Sequence, residues 1–303
     1  MGHGIAQVFA ASGVPVVLND VSAEALERGI SGVRQNLAFL AERGTFAAEK
    51  TEEVVGRIEA TTDRVRALDG ADLVIECVFE DLALKRNLFA EMDALCPPET
   101  VLATNTSVIS ITEIAAAAEG KERIVGTHFW NPPYLVPLVE VVKGDQSSDA
   151  AVEWVHSVLK DVGKHPVIVQ KDVPGFVANR LQHALWREAI SIVERGIADP
   201  ATVDECIRFG FGLRLPALGP LENADLVGLD LTLSIHDYIL RHLEDSHEAS
   251  PLLREKVDAG ELGFKTGRGF QEWSEEEQAA VRRRMMDHLV RATRNLNKGR
   301  DET

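Results

Sequence analysis

The stretch Met1–Asp20, MGHGIAQVFAASGVPVVLND, decides the fold. Gly2–Ser12 has helical apolar spacing and runs into a small-residue turn. The apolar run Val14–Leu18 follows, and the stretch stops at Asp20. Helix, tight turn, strand and carboxylate is the order found behind the first strand of a dinucleotide-binding unit. Gly2 and Gly4 would let the helix sit close on a sheet and bring its N–H groups up to a pyrophosphate. A carboxylate at Asp20 would bond a ribose hydroxyl and repel a 2′-phosphate, which favours NAD over NADP. A full fingerprint begins with an apolar strand and two further glycines, and neither stands before Met1 here. A simple helix with a turn aspartate fits the same residues, so this stretch alone leaves both readings open.

Outward from it, strands and helices alternate. A long charged helical region covers Ala23–Arg43, and a second lies near Ala47–Gly56. Asp72–Cys77 (DLVIEC) and Val101–Asn105 (VLATN) read as buried strands, with helical Leu82–Leu95 between them. Arg123–Thr127, Val136–Val142 and Pro166–Gln170 read as three more strands, with a helix near Ser148–Val162. This pattern predicts a parallel sheet covered by helices on both faces. After Lys171–Asp172 the strand-like runs stop. Val173–Glu194, Pro200–Phe209, Leu226–Leu243 and Glu275–Leu296 read as helices, the last opened by an S-x-x-E capping box at Ser274 and Glu277. The expected division is an α/β domain over 1–171 and an all-α domain over 172–303.

Composition narrows the function classes. The chain has 303 residues and a net charge of -16, so a polyanion would be repelled and nucleic-acid binding is not expected. It shows no signal-peptide pattern and no run of about 18 apolar residues, so neither secretion nor a membrane partner is expected. Cys77, Cys96 and Cys206 are far apart and form no C-x-x-C, which points to idle thiols in a reducing cytoplasm rather than disulfides or a zinc site. No metal is expected.

Two strand-associated stretches carry candidate chemistry. In Val125–Val142, VGTHFWNPPYLVPLVEVV, His128 precedes a turn forced by Asn131-Pro132-Pro133, and Glu140 lies in the next strand. If the two strands are neighbours, the histidine and carboxylate can form a general acid/base unit. A satisfied core histidine and an unrelated strand glutamate fit equally well. Asn105-Thr106-Ser107 follows VLATN at the carboxyl edge of the expected sheet, where such sheets bind ligands, or makes an ordinary turn.

Together these segments resemble the L-3-hydroxyacyl-CoA dehydrogenase family, 3-hydroxybutyryl-CoA dehydrogenases included. The resemblance runs in order through GHGIAQVFA, ADLVIECVFEDLALKRNLFAEMD, VLATNTSVISIT, HFWNPP…PLVEVV, KDVPGFVANR, GPLENADLVGLD and GFKTGRGF. It implies a Rossmann-type NAD domain, then a helical domain that commonly makes a homodimer contact. It implies His128 as general base with Glu140 orienting it. Ser107 and Asn131 would hold the substrate oxygen and the nicotinamide region, and Asn179 would join them. Gly2 and Asp20 would bind the cofactor, with Glu80, Lys85 and Asn105 along its path. Lys50, Arg57 and Lys85 would meet the phosphates of an acyl-CoA substrate. The family's first strand is absent from this chain, which predicts that the two strands beside it lose ladder partners and that the natural protein starts upstream. FGFGLRLPALGP (Phe209–Pro220) departs from the short-chain acyl-CoA pattern. Arg214 there suits a free carboxylate, and HFWNPPYLVP also resembles carnitine, gulonate and pyridine-carboxylate dehydrogenases, which oxidise non-CoA hydroxy acids. A structural, crystallin-like relative is the remaining alternative.

Overall fold

In the computed structural model, residues 1–300 are described, with side chains as far as Arg294. The chain opens with α1 (Gly2–Ala11), β1 (Val16–Asn19), α2 (Ala23–Glu42), α3 (Thr51–Gly56) and β2 (Ile58–Thr61). Next come α4 (Arg64–Leu68), β3 (Leu73–Glu76), α5 (Leu82–Leu95), β4 (Val101–Thr104) and α6 (Ile111–Ile114). They are followed by β5 (Ile124–Phe129), β6 (Leu138–Val142), α7 (Asp149–Asp161) and β7 (His165–Val169). The rest is helical: α8 (Ala178–Glu194), α9 (Pro200–Phe209), α10 (Pro220–Val227), α11 (Leu229–Ile239), α12 (Pro251–Asp258) and α13 (Glu275–Arg300). This is the expected Rossmann-type α/β domain followed by a helical domain.

Short polar side chains start the main helices of the α/β domain. Ser22, Asp81 and Ser148 accept from the backbone N–H groups of Ala25, Leu84 and Ala151, which satisfies donors that a helix cannot pair internally. The expected capping box of the last helix is present: Ser274 N donates to Glu277 Oε2 at 2.8 Å, and Glu277 N donates to Ser274 Oγ at 3.2 Å.

The strands form two sheets, β1-β2 and β3-β4-β5-β6-β7. β1 and β3 each end a sheet. Helix α1 packs against both. Its Ile5, Val8 and Phe9 join Val101, Ala103, Val125 and Val139 in one core, while Ala6 and Ala10 join Val33, Leu37, Val54 and Ile58 in another. Each such large side chain, fully buried, contributes roughly 1.5–3 kcal/mol.

Two features of the strands differ from the sequence expectation. β2 went unread, because IEAT is short and pairs only with β1. β6 runs antiparallel to β5, whereas every other pairing is parallel. The loop of residues 130–137 is too short for a parallel crossover, which needs about a dozen residues.

The expected helix over Val173–Glu194 starts late, at Ala178. Pro174 is followed by Gly175 and Phe176 at φ 77° and 50°, a left-handed pair that cannot belong to a helix. Leu226–Leu243 is likewise broken, at Gly228 with φ 105°.

The chain divides into two compact units, residues 1–180 with 285–303, and residues 181–284. The texture change near Lys171–Asp172 therefore precedes the change of unit. The end of α13 belongs to the first unit, where Arg43 Nε bonds Asp287 Oδ1 at 2.8 Å and Val290 is buried. Among the described residues, no helix is long and apolar enough to cross a membrane.

Candidate active site

His128 and Glu140 are direct partners in the β5–β6 ladder. Partners in an antiparallel pair present their side chains on the same face, about 4.5–5.5 Å apart at Cβ. The pair closes: His128 Nδ1 lies 2.8 Å from Glu140 Oε2, with side-chain exposures of 6% and 1%. The second carboxylate oxygen, Oε1, accepts the N–H groups of Val177 and Ala178, both at 3.0 Å.

Burial alone would raise the Glu140 carboxyl. The His128 bond and the Ala178 and Val177 amides outweigh it and hold the group below its ordinary 4.5. An ionised Glu140 accepts Nδ1–H, so the tautomer inferred for neutral His128 leaves Nε2 with a lone pair. The imidazole packs against Trp130 and Phe176, with ring centroids 5.3 and 5.7 Å away. This unit can take a proton from a substrate hydroxyl.

The turn that delivers the two amides was not legible as a site. Gly175 and Phe176 bend the chain so that the first N–H groups of α8 face Glu140. Phe176 is buried, and a non-glycine residue at positive φ costs about 1–2 kcal/mol. The sequence signal was the Pro-Gly pair directly before a helical run.

A second network shapes the loop after β4. Lys85 and Glu76 are fully buried, and Lys85 Nζ donates to both Glu76 oxygens at 2.8 and 2.9 Å. Thr104 Oγ1 and Val78 N also donate to Glu76. Lys85 reaches Glu80 Oε2 at 3.5 Å. Glu80 Oε1 accepts from Thr106 Oγ1, Ser107 N and Val108 N. Burial raises the Glu80 carboxyl, but these bonds and Lys85 bring it below its usual value.

The Lys85 ammonium, expected along the cofactor's path and at CoA phosphates, is here paired with Glu76 and Glu80 inside the protein. Arg57 is also engaged, donating to Ala10 O at 3.1 Å and to Glu53 Oε1 at 2.5 Å. Lys50 remains exposed. Glu76 was missed by sequence reasoning. Its signal was an acid inside the otherwise apolar strand DLVIEC.

The remaining candidates fall into two groups. Asn105 and Asn179 bond backbone: Phe129 N donates to Asn105 Oδ1 at 2.9 Å, and Asn179 Nδ2 donates to Ser107 O at 3.0 Å. They tie the strand of His128 and the start of α8 to the loop that carries Ser107. Ser107 and Asn131 are exposed side chains on the two loops that follow β4 and β5.

At the other end, Met1 caps α1 without a side-chain bond, so the first N–H groups of the helix remain available to an anion. A Cβ at Gly2 would meet Cys77 and Leu18 only at 3.8–3.9 Å. Asp20 stands exposed just past β1, with Oδ1 accepting from Ser22 N. Free amides at the start of α1 and a carboxylate just past β1 suit a pyrophosphate and a ribose. Removal from water pushes the Cys77 thiol up to about 12, consistent with an idle cysteine. Among the described residues there is no cluster of three metal-ligating side chains.

Residues 1–173 match the NAD binding domain of 3-hydroxyacyl-CoA dehydrogenase, and residues 175–273 match its C-terminal domain. The chain belongs to the 3-hydroxyacyl-CoA dehydrogenase family. Members of this family are NAD-dependent oxidoreductases, and NAD is the cofactor here. A probable 3-hydroxybutyryl-CoA dehydrogenase of Bacillus subtilis is 40% identical over 276 residues, 91% of this chain and 94% of that protein. A 5-formyl-3-hydroxy-2-methylpyridine 4-carboxylate 5-dehydrogenase of Mesorhizobium japonicum is 35% identical over 301 residues, 99% of this chain and 96% of that protein. A crystal structure of a dehydrogenase for that pyridine compound, described as an NAD+-dependent dismutase, superposes with a TM-score of 0.90. It is 34% identical and covers 98% of this chain and 95% of its own.

Linkage gives a test of the Glu140 environment. A carboxyl held below 4.5 stabilises the fold fully above that value and loses the contribution as pH falls through its lower folded value. Glu140→Gln should therefore flatten the acid side of the stability profile. Urea midpoints measured from neutral pH down through the carboxylate range check this, and parallel profiles for both proteins would contradict it.

Proposed function

We propose that the protein oxidises the 3-hydroxyl of an L-3-hydroxyacyl-CoA to the 3-ketoacyl-CoA, with His128 as general base and Glu140 as its orienting partner. The observation that carries this reading is the buried pair at 2.8 Å, which leaves one imidazole nitrogen for the substrate. NAD, held by the start of α1 and Asp20, would supply the hydride acceptor for C3. His128 Nε2 takes the hydroxyl proton, and Glu140 stabilises the imidazolium that forms. Ser107 and Asn131 steady the developing carbonyl oxygen. Asn179 and Asn105 hold the loops that present them. Gly2 and the start of α1 receive the pyrophosphate, and Asp20 bonds the ribose. Three free thiols suit a cytoplasmic setting.

If the pair works as one unit, His128→Gln and Glu140→Gln should each slow turnover by roughly a hundredfold or more. The double variant should be little slower than either single one, because members of a unit are non-additive. Steady-state kinetics that show multiplied penalties would separate Glu140 from the base.

A second substrate class, a free hydroxy acid, is favoured by two observations. The pyridine-carboxylate dehydrogenase matches almost the whole chain, beyond the residues covered by the two family domains. Lys85 and Arg57, two of the three cations expected to meet CoA phosphates, are engaged internally. Under this reading Arg214, exposed in the second unit, grips the carboxylate. A screen of L-3-hydroxyacyl-CoA esters against free hydroxy acids, followed by NADH absorbance, decides. With a CoA handle, Lys50→Glu raises KM and Arg214→Ala is silent. With a carboxylate handle, Arg214→Ala abolishes turnover and Lys50→Glu is silent.

A homodimer completes the reading. The second unit exposes Phe209, Leu221, Leu226 and Tyr238, each more than 70% accessible. Exposed apolar side chains of this size support an association surface on this unit. Light scattering should give twice the chain mass, and Leu226→Asp should shift it to the monomer. A monomeric wild type would remove this part.

A further inference from the structure

Lys164 is a buried ammonium that the proposed chemistry does not use. It follows the turn after α7, where Gly163 has φ 80°, and it directly precedes β7. The residue is 4% exposed. Nζ donates to the carbonyl oxygens of Pro133 and Val136, both at 2.6 Å. Burial pushes the group down to about 8, and among the described residues no carboxylate pairs with it. An apolar side chain would fill this space at less cost in desolvation, but it would leave two carbonyls unmet.

Those carbonyls belong to the loop of residues 130–137, which joins the strand of His128 to the strand of Glu140. The loop's shape is set internally, since Leu135 N and Val136 N both donate to Pro132 O at 3.0 Å. Its position is not set by those bonds. Pro133 also lies against α1 so closely that a Cβ on Gly4 would come 2.7 Å from its ring. The same short segment thus borders the helix that receives the cofactor and both catalytic strands.

We propose that Lys164 is a positioning residue: by holding Pro133 and Val136 it fixes the 130–137 loop, and with it Asn131 and the His128–Glu140 pair, against α1. This rests on the dehydrogenase reading of the site. Small displacements are costly in such a site, where a 1 Å shift can lower a rate by about a hundredfold.

The test compares Lys164→Met, which keeps the bulk and loses the donors, with Lys164→Arg, which keeps donors on a stem of similar reach. Lys164→Met should lower kcat by roughly tenfold to a hundredfold while KM for NAD stays within about twofold. Hydrogen exchange at the Leu135 and Val136 amides should speed up. Lys164→Arg should restore both. A lysine that only stabilises the fold would lower the melting temperature and leave kcat per folded molecule and loop exchange unchanged, and that result would overturn the proposal. If Lys164→Met does not fold, Lys164→Gln is read in the same way, because its shorter stem cannot span both carbonyls. A wild type with no turnover on either substrate class sinks the site reading instead, and loop exchange in the variants still judges the clamp.

Discussion

Glu140 holds a negative charge where almost no water reaches it, and the His128–Glu140 pair is arranged around that fact. An ionised carboxylate away from solvent is tolerable only with full hydrogen bonding. It has three donors: the imidazole of the facing strand, and two backbone amides at the start of α8. Each donor explains a local oddity. The imidazole needs β6 antiparallel to β5, against the direction of its neighbours. The amides need two successive residues in left-handed backbone, one of them a phenylalanine. That phenylalanine in turn packs on the imidazole.

The Glu76–Lys85 pair follows the same physics at the far side of β4. Here one cation matches one buried carboxylate, and a hydroxyl and an amide complete the shell. Replacing one member of such a pair leaves the other charge bare, which typically costs about 3–5 kcal/mol. The network shapes the loop after β4. Lys85 pulls on Glu80, and Glu80 gathers the amides of the segment that carries Ser107. Lys164 plays a comparable part for the loop after β5, with carbonyls in place of carboxylates. Two buried lysines thus set the two loops that bear the exposed candidate ligands.

The substrate question turns on where free positive charge remains. The chain carries -16 overall, so an anionic substrate must be met by particular side chains rather than by a general field. Internal use of Lys85 and Arg57 narrows the choices to residues such as Lys50 and Arg214, which belong to different compact units.

The sequence by itself determined the architecture and singled out His128 and Glu140 as a candidate pair. Apolar runs alternating with helices specify an α/β domain, because each strand must bury both faces. His128 and Glu140 stood out because a proline-rich turn between two apolar strands brings their ends together. Asp20 and the α1 glycines were legible for the same local reason: turn chemistry and helix ends are written in neighbouring residues. Only the tertiary structure decided that His128 and Glu140 share a register, that Glu76 consumes Lys85, and that Val177, Ala178 and Lys164 feed the site with donors. Those outcomes depend on which polar groups meet after burial, across separations such as the 37 residues between Glu140 and Val177. Residue type states what a side chain can donate or accept, but the packed fold determines which partner is within reach once water is gone.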